Sequence, residues 1–298
     1  MKQIRNVLVL GGTRFFGKGL VELLINNGDR VTIATRGNQP APFGDQVTRV
    51  RVDRSDRKAM EVSFEDTRWD VVYDQICYSP SDAKIACDVF KEKTKQYILT
   101  STLSVYEWTE KASKVEKDFD PYKYSVQMGN RAEFNYGEGK RLAEAVFFQQ
   151  ATFPVTAVRP PIVLGEDDYT ERLHDHVRKV LKEEPIFINE AETKLSFVEA
   201  DDLAAFLFWV GTKDLCGPVN ASAPDQITLG SLLELIESRV GKKAVIQKPQ
   251  DKENQSPFNF PASNYQDVSL VTASGYAFHP ITEWLPDLVE SIAKTIPR

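Results

Sequence analysis

Cysteine is scarce: Cys77, Cys87 and Cys216 are the three in 298 residues. They show no Cys-x-x-Cys spacing, so neither a disulfide framework nor a zinc ribbon is indicated, and a reducing cytoplasmic setting is the expectation. Long apolar runs are also missing. The run Asn6 to Leu10 breaks at Gly11-Gly12, too early for a signal core, and no later stretch approaches the roughly 20 residues of a membrane span. No membrane partner is expected. Cationic excess is absent as well: 37 Lys+Arg stand against 43 Asp+Glu, a net charge of −6. Affinity for a phosphate backbone needs clustered cations, so no nucleic-acid partner is expected. The short group Lys91, Lys93 and Lys95, interleaved with Glu92, reads as a solvated helix end. Histidine is rare too, and His174 and His176, two apart, diverge on a helix. With no acidic or cysteine partner at ligand spacing, no metal site is expected.

At the N-terminus, Asn6 to Leu10 reads as a short buried strand running into Gly11-Gly12-Thr13-Arg14-Phe15-Phe16-Gly17. Leu20, Leu23 and Leu24 then give a helical apolar face. Strand, glycine turn and helix make a phosphate cradle of the dinucleotide-binding kind: Gly11 permits the tight turn, Gly17 lets helix and strand pack closely, and backbone amides face the pyrophosphate. Thr13, Arg14, Phe15 and Phe16 complete it. A second strand, Arg30 to Thr35, delivers Arg36 where such folds read the adenosine ribose. An acidic residue there would suit a free 2′-hydroxyl, whereas a guanidinium answers a 2′-phosphate, so NADP is the expected cofactor, with NAD as the alternative. A third strand, Val47 to Val52, ends at Asp53, a candidate for the adenine amino group. A fourth, Asp70 to Asp74, opens toward Gln75-Ile76-Cys77-Tyr78, which would lie along the cofactor.

Tyr136 and Lys140 are four apart, a spacing that puts phenol and ammonium on one helical face. A fixed ammonium favours the phenolate, which makes an otherwise poor acid or base usable at neutral pH. The stretch Gln96 to Tyr106 reads as a strand with hydroxyls at its carboxyl end, where open α/β sheets place ligands. In order along the chain come the glycine turn, Val105-Tyr106, Tyr136-x-x-x-Lys140, Val158-Arg159-Pro160-Pro161, Phe197-Val198-Glu199-Ala200-Asp201-Asp202 and Gly217-Pro218-Val219-Asn220. With these elements the chain resembles the extended short-chain dehydrogenase/reductase superfamily, in particular its nucleoside-diphosphate-sugar epimerase/dehydratase family, over nearly its whole length. The resemblance implies that Tyr136 is the catalytic acid/base and that Lys140 lowers its pKa and holds the nicotinamide ribose. It further implies that Thr102, with Ser101 as fallback, orients the substrate oxygen, and that Pro160 belongs to a rigid wall near the nicotinamide.

Departures from the family pattern are informative. The middle glycine of the cradle is Arg14, which makes phosphate contact by a side chain plausible. Leu103-Ser104 stand where the family's dehydratases carry an Asp-Glu pair, so dehydration is disfavoured. Glu107 replaces the usual glycine after Val-Tyr, and Lys248 to Glu253 holds no arginine for a diphosphate. The opening Gly-Gly-Thr-Arg-Phe also resembles a divergent set that includes plastid stem-loop RNA-binding proteins of the same fold. RNA binding without catalysis is therefore the alternative.

Strands and helices alternate to about Arg159, as in a parallel sheet with right-handed crossovers. Helices are expected over Asp202 to Val210, from Thr228 through Val240, and from Trp284 through Ile296; Gln247 to Asn264 lacks periodicity and reads as a mobile loop. The expected architecture is α/β, a doubly wound, Rossmann-like parallel sheet with a smaller C-terminal substrate-binding lobe. Residues 1–164 and 195–222 would carry the dinucleotide, and 165–194 and 223–298 the substrate. The expected activity is an NAD(P)-dependent epimerase or ketoreductase acting on a sugar nucleotide, and a homodimer is left open.

Overall fold

A computed structural model describes residues 4–38, 42–247 and 254–297. One compact unit runs to Glu107 and adds Val115–Pro160 and Ala200–Ala221. The other comprises Trp108–Lys114, Pro161–Glu199 and the chain from Ser222 onward, a broader second unit than the 165–194 and 223–298 expected.

The first unit is built on strands β1 (Asn6–Leu10), β2 (Arg30–Thr35), β3 (Val47–Arg51), β4 (Val71–Asp74), β5 (Tyr97–Thr100), β6 (Val155–Arg159) and β7 (Gly217–Asn220), in spatial order β7-β6-β5-β4-β1-β2-β3. All neighbours are parallel. The helices are α1 (Phe15–Asn26), α2 (Arg57–Ser63), α3 (Pro80–Val89), α4 (Tyr136–Gln150) and α5 (Ala200–Val210). Strands covered on both faces read as continuous apolar runs, and Val7 through Leu10 are indeed buried to within 1 %. Leu20, Val21 and Leu24 line the buried face of α1. Burying each large aliphatic side chain there contributes about 1.5–3 kcal/mol. Gly19 lets α1 approach α5, since a Cβ at that position would lie 3.1 Å from Cβ of Ala204.

Local signals set the helix starts. Ser79 accepts the Asp82 amide ahead of α3, with Pro80 in the first turn. Asn135 does the same for α4, accepting the Glu138 amide at 2.9 Å. The sheet changes direction between β1 and β4, and the crevice outside the carboxyl ends of such neighbours is where open α/β sheets bind ligands.

Two expected boundaries are corrected. The strand expected from Gln96 to Tyr106 stops at Thr100. Beyond it the Ser101 amide donates to Val158 O at 2.6 Å and the Leu103 amide to Pro160 O at 2.7 Å. Leu103–Val105 then coil into one 3-10 turn capped by the Thr102 hydroxyl. The last helix begins at Ile281, three residues before Trp284. The carboxylate of Asp225 accepts the Ile281 amide at 2.6 Å, a cap from a distant segment that local periodicity cannot reveal.

In the second unit the helices Arg172–Lys182, Leu229–Val240 and Ile281–Thr295 share a core of Leu173, Val177, Leu232, Leu285 and Val289. Strand Phe197–Glu199 pairs in parallel with Ile162–Leu164. Of the aperiodic stretch 247–264, residues 248–253, including the arginine-free stretch Lys248 to Glu253, lie outside the described residues. From Asn254 onward the chain is anchored: Phe258 is fully buried and stacks on His176 at 4.8 Å.

Candidate functional site

The glycine turn at the end of β1 takes the shape that the residues require. Gly11 and Gly12 have φ of 99° and 81°, and the Gly11 amide donates to Ala34 O of β2 at 3.0 Å. A Cβ on Gly12 would lie 2.7 Å from Cγ1 of Val9, and one on Gly17 would lie 2.2 Å from Oε1 of Gln75. Phe15 holds the left-handed region at φ 50°, a strained conformation for an aromatic residue. Arg14 occupies the N-cap of α1 without a side-chain cap, and it is exposed. Thr13, Phe15 and Phe16 are half-buried around it, the two rings edge to face at 5.7 Å. Nε2 of Gln75 is buried beside this turn with no partner among the described residues. Glycines that a side chain would fill, a helix N-terminus with no side-chain cap and an orphaned amide donor fit a bound pyrophosphate.

Arg36 follows β2 and is exposed. The register sets Thr35 opposite Arg51, whose Nε donates to the Arg36 carbonyl at 3.1 Å. Asp53 follows β3. Hydrogen bonds from the Ser55 hydroxyl (2.7 Å) and amide (3.0 Å), helped by the charges of Arg36 and Arg54, hold its carboxyl below the usual range. It is an anion ready to accept.

Tyr136 opens α4 and is 52 % exposed, whereas Lys140, one turn on, is 1 % exposed. The Lys140 ammonium donates to Thr100 O, the last residue of β5, at 2.7 Å and lies 6.0 Å from the Tyr136 ring centroid. Thr102 is buried to 7 %, and its Oγ1 accepts the Ser104 amide at 3.2 Å. Gly137 allows the first turn of α4 to press on this segment, since a Cβ there would sit 2.6 Å from Ser104 O. Pro160 is buried at the end of β6 and accepts the Leu103 amide. The sequence-selected residues other than Tyr136 and Lys140 thus follow the carboxyl ends of β1, β2, β3, β5 and β6 of one parallel sheet, and Lys140 reaches the end of β5 from α4.

Ser101 is not available as a substitute for Thr102, because its hydroxyl donates to the Glu144 carboxylate. Glu144 is fully buried and pairs with Arg159 through Nε at 3.0 Å and Nη2 at 2.5 Å. Arg159 also donates to Tyr106 Oη at 3.0 Å, and Tyr106 donates to Asn220 Oδ1 at 2.6 Å. Burial opposes the charge on Arg159, but Glu144 outweighs it and raises the pKa. In the sequence, the signal for this pair is a glutamate one helical turn after Lys140 on the buried face of α4. His176 is turned inward, hydrogen-bonded to Arg172 O and Ser256 Oγ. Among the described residues no group of three or more His, Cys, Asp or Glu could hold a metal. No described helix is long and apolar enough to cross a membrane.

Residues 7–91 match the NAD dependent epimerase/dehydratase family. Among solved structures, UDP-glucose 4-epimerase of Thermus thermophilus in complex with NAD superposes with a TM-score of 0.74 at 18 % identity, over 98 % of this chain and 100 % of that one. The chain has the fold of the extended short-chain dehydrogenase/reductases. The Thermotoga maritima UDP-glucose 4-epimerase with UDP-glucose gives a TM-score of 0.74 at 18 % identity, over 97 % of each chain. The dTDP-glucose 4,6-dehydratase of Bacillus anthracis in complex with NAD gives 0.74 at 14 %, again over 97 % of each. At these identities the likeness is one of fold. In sequence, the chloroplast stem-loop binding protein of 41 kDa b from Arabidopsis thaliana is 24 % identical, over 97 % of this chain and 77 % of the plant protein.

Proposed function

We propose that the protein is an NAD(P)-dependent enzyme acting on a carbinol or keto carbon of a sugar nucleotide, as an epimerase or ketoreductase. The observation that carries this reading is the buried Lys140 ammonium, fixed 2.7 Å from Thr100 O at the strand end, one helical turn from a half-exposed Tyr136. A buried ammonium is costly unless it is paired and hydrogen-bonded, and groups kept at such a cost cluster at functional sites.

In this reading Gly11, Thr13, Arg14, Phe15, Phe16 and Gly17 cradle the pyrophosphate, Asp53 takes the adenine amino group, and Arg36 answers a 2′-phosphate, favouring NADP over NAD. Lys140 and Pro160 border the nicotinamide ribose and ring. When bound, the nicotinamide supplies or accepts hydride at the sugar carbon. Tyr136 moves the proton to or from the oxygen on that carbon, and Thr102 orients the same oxygen, so charge does not accumulate there. Leu103 and Ser104 offer no carboxylates for an elimination, which leaves dehydration unsupported.

The test is to incubate the full chain with UDP-glucose, follow reduced nicotinamide by absorbance and the sugar configuration by NMR, and identify by mass spectrometry the dinucleotide released on denaturation. Tightly held dinucleotide with a changed sugar centre supports epimerisation; steady oxidation of added NADPH by a keto-sugar nucleotide supports a reductase. A protein that takes up neither dinucleotide overturns the reading.

The likeness to the chloroplast stem-loop binding protein supports a second reading, RNA binding without turnover. The net charge of −6 weighs against it. Retention of a stem-loop RNA that falls steeply with salt, in a protein inert toward dinucleotides, would favour it.

A further inference from the structure

The segment that leaves β4 carries an aromatic ring that the reading above does not use. Tyr78 lies beside the catalytic helix: its ring centroid is 6.3 Å from that of Tyr136 and 4.5 Å from the Lys140 ammonium. A second cation, the Arg131 guanidinium, lies 4.4 Å from the same centroid. Lys140 is 1 % exposed and has three N–H donors, of which the Thr100 carbonyl takes one. A buried ammonium held by a single carbonyl would be poorly compensated, and an aromatic face at this distance attracts it through the ring quadrupole.

The approach of Tyr78 depends on the composition of α4. Gly139 faces the Tyr78 backbone so closely that a Cβ there would sit 2.5 Å from Tyr78 O. Gly137, on the same turn, faces Ser104 O at 2.6 Å from its own hypothetical Cβ. The run Tyr136-Gly137-Glu138-Gly139-Lys140 therefore docks the helix start onto two strand-end segments at once, one bearing Thr102 and the other bearing Tyr78. Any side chain at 139 would push the Tyr78 segment away.

We propose that Tyr78 is a positioning residue: its ring is a platform that, together with Thr100 O, fixes the Lys140 ammonium beside Tyr136. The proposal deepens the proposed function and rests on its assignment of Tyr136 and Lys140. The ring face is what matters, so Tyr78→Phe keeps the device and Tyr78→Leu removes it at similar bulk.

The test uses the full chain in two arms. In the first, lysine labelled at the ε-methylene is observed by NMR, with the Lys140 signal assigned from Lys140→Arg. A methylene over a ring face resonates upfield; the shift is expected in wild type and Tyr78→Phe and is expected to vanish in Tyr78→Leu. In the second, turnover with UDP-glucose and added dinucleotide is compared. Tyr78→Leu is expected to lower kcat about thirtyfold, which is what a desolvated cation–π contact is worth, with KM for the dinucleotide within about twofold and Tyr78→Phe close to wild type.

An unshifted Lys140 signal in wild type overturns the platform. A lost shift with unchanged kcat in Tyr78→Leu overturns its catalytic role, as does a variant that only unfolds at lower urea with kcat and KM moving together. A wild-type protein inert toward every dinucleotide defeats the proposed function and the catalytic half of this proposal, while the NMR arm still decides the contact.

Discussion

The Glu144 carboxylate of α4 holds the Arg159 guanidinium of β6 in a bidentate pair at zero exposure for both side chains, and the same carboxylate accepts the Ser101 hydroxyl at the end of β5. One helical turn earlier, Lys140 donates to Thr100. Consecutive turns of α4 are thus tied to Thr100, the last residue of β5, and to Ser101 just beyond it, and the helix that carries Tyr136 is fixed along the strand end that leads to Thr102.

This arrangement predicts an asymmetric response to mutation. Glu144→Gln keeps most of the shape but takes the Glu144 charge away from the buried Arg159 guanidinium, and should cost about 3–5 kcal/mol. Replacing both partners by apolar residues, Glu144→Leu with Arg159→Met, should cost much less than the sum of the two single changes. Urea unfolding of the three variants measures both. A Glu144→Gln variant as stable as wild type would show that the pair is not buried as described.

Arg36 predicts cofactor preference. Fluorescence titration should show tighter binding of NADPH than NADH, and Arg36→Ala should narrow the gap by about tenfold, the value of one charge-assisted contact. Equal affinities in the wild type would remove Arg36 from the recognition of a 2′-phosphate.

His176 predicts a pH dependence of the second unit. It is fully buried; its Nδ1–H donates to Arg172 O at 3.0 Å, and Nε2 accepts from Ser256 at 2.9 Å. Burial depresses its pKa below the ordinary 6.5, the hydrogen bond to the Arg172 carbonyl and then Asp175 opposing the shift and Lys179 adding to it. The unfolded chain therefore takes up a proton at a higher pH than the folded one does. Stability is fully present above about 6.5 and is lost as pH falls toward the folded pKa. Unfolding midpoints measured across this range should decline with acid, and His176→Gln should flatten the decline. A wild-type midpoint independent of pH in that window would contradict the assignment.

Much of the sheet was legible because parallel strands covered on both faces must be continuously apolar, as Val7 to Leu10 and Val71 to Tyr73 are. The cradle was legible because its glycines are needed for φ and for space. What stayed hidden depends on partners distant in sequence. Strand β5 is shorter than its sequence suggests, since apolar Leu103 and Val105 look strand-like until Val158 and Pro160 draw the backbone into a turn. The Glu144–Arg159 pair joins residues that only the sheet brings together, and although Gln75 to Tyr78 is expected along the cofactor, the approach of Tyr78 to Lys140 depends on α4, far along the chain. The early start of the last helix came from Asp225, far upstream of it.

The most direct test of the account is the turnover of Tyr136→Phe, measured with UDP-glucose alongside dinucleotide binding. The account predicts a loss of turnover of at least about a hundredfold, the usual contribution of a positioned acid or base, with dinucleotide affinity within about threefold of wild type. A Tyr136→Phe protein that turns over at the wild-type rate would contradict it.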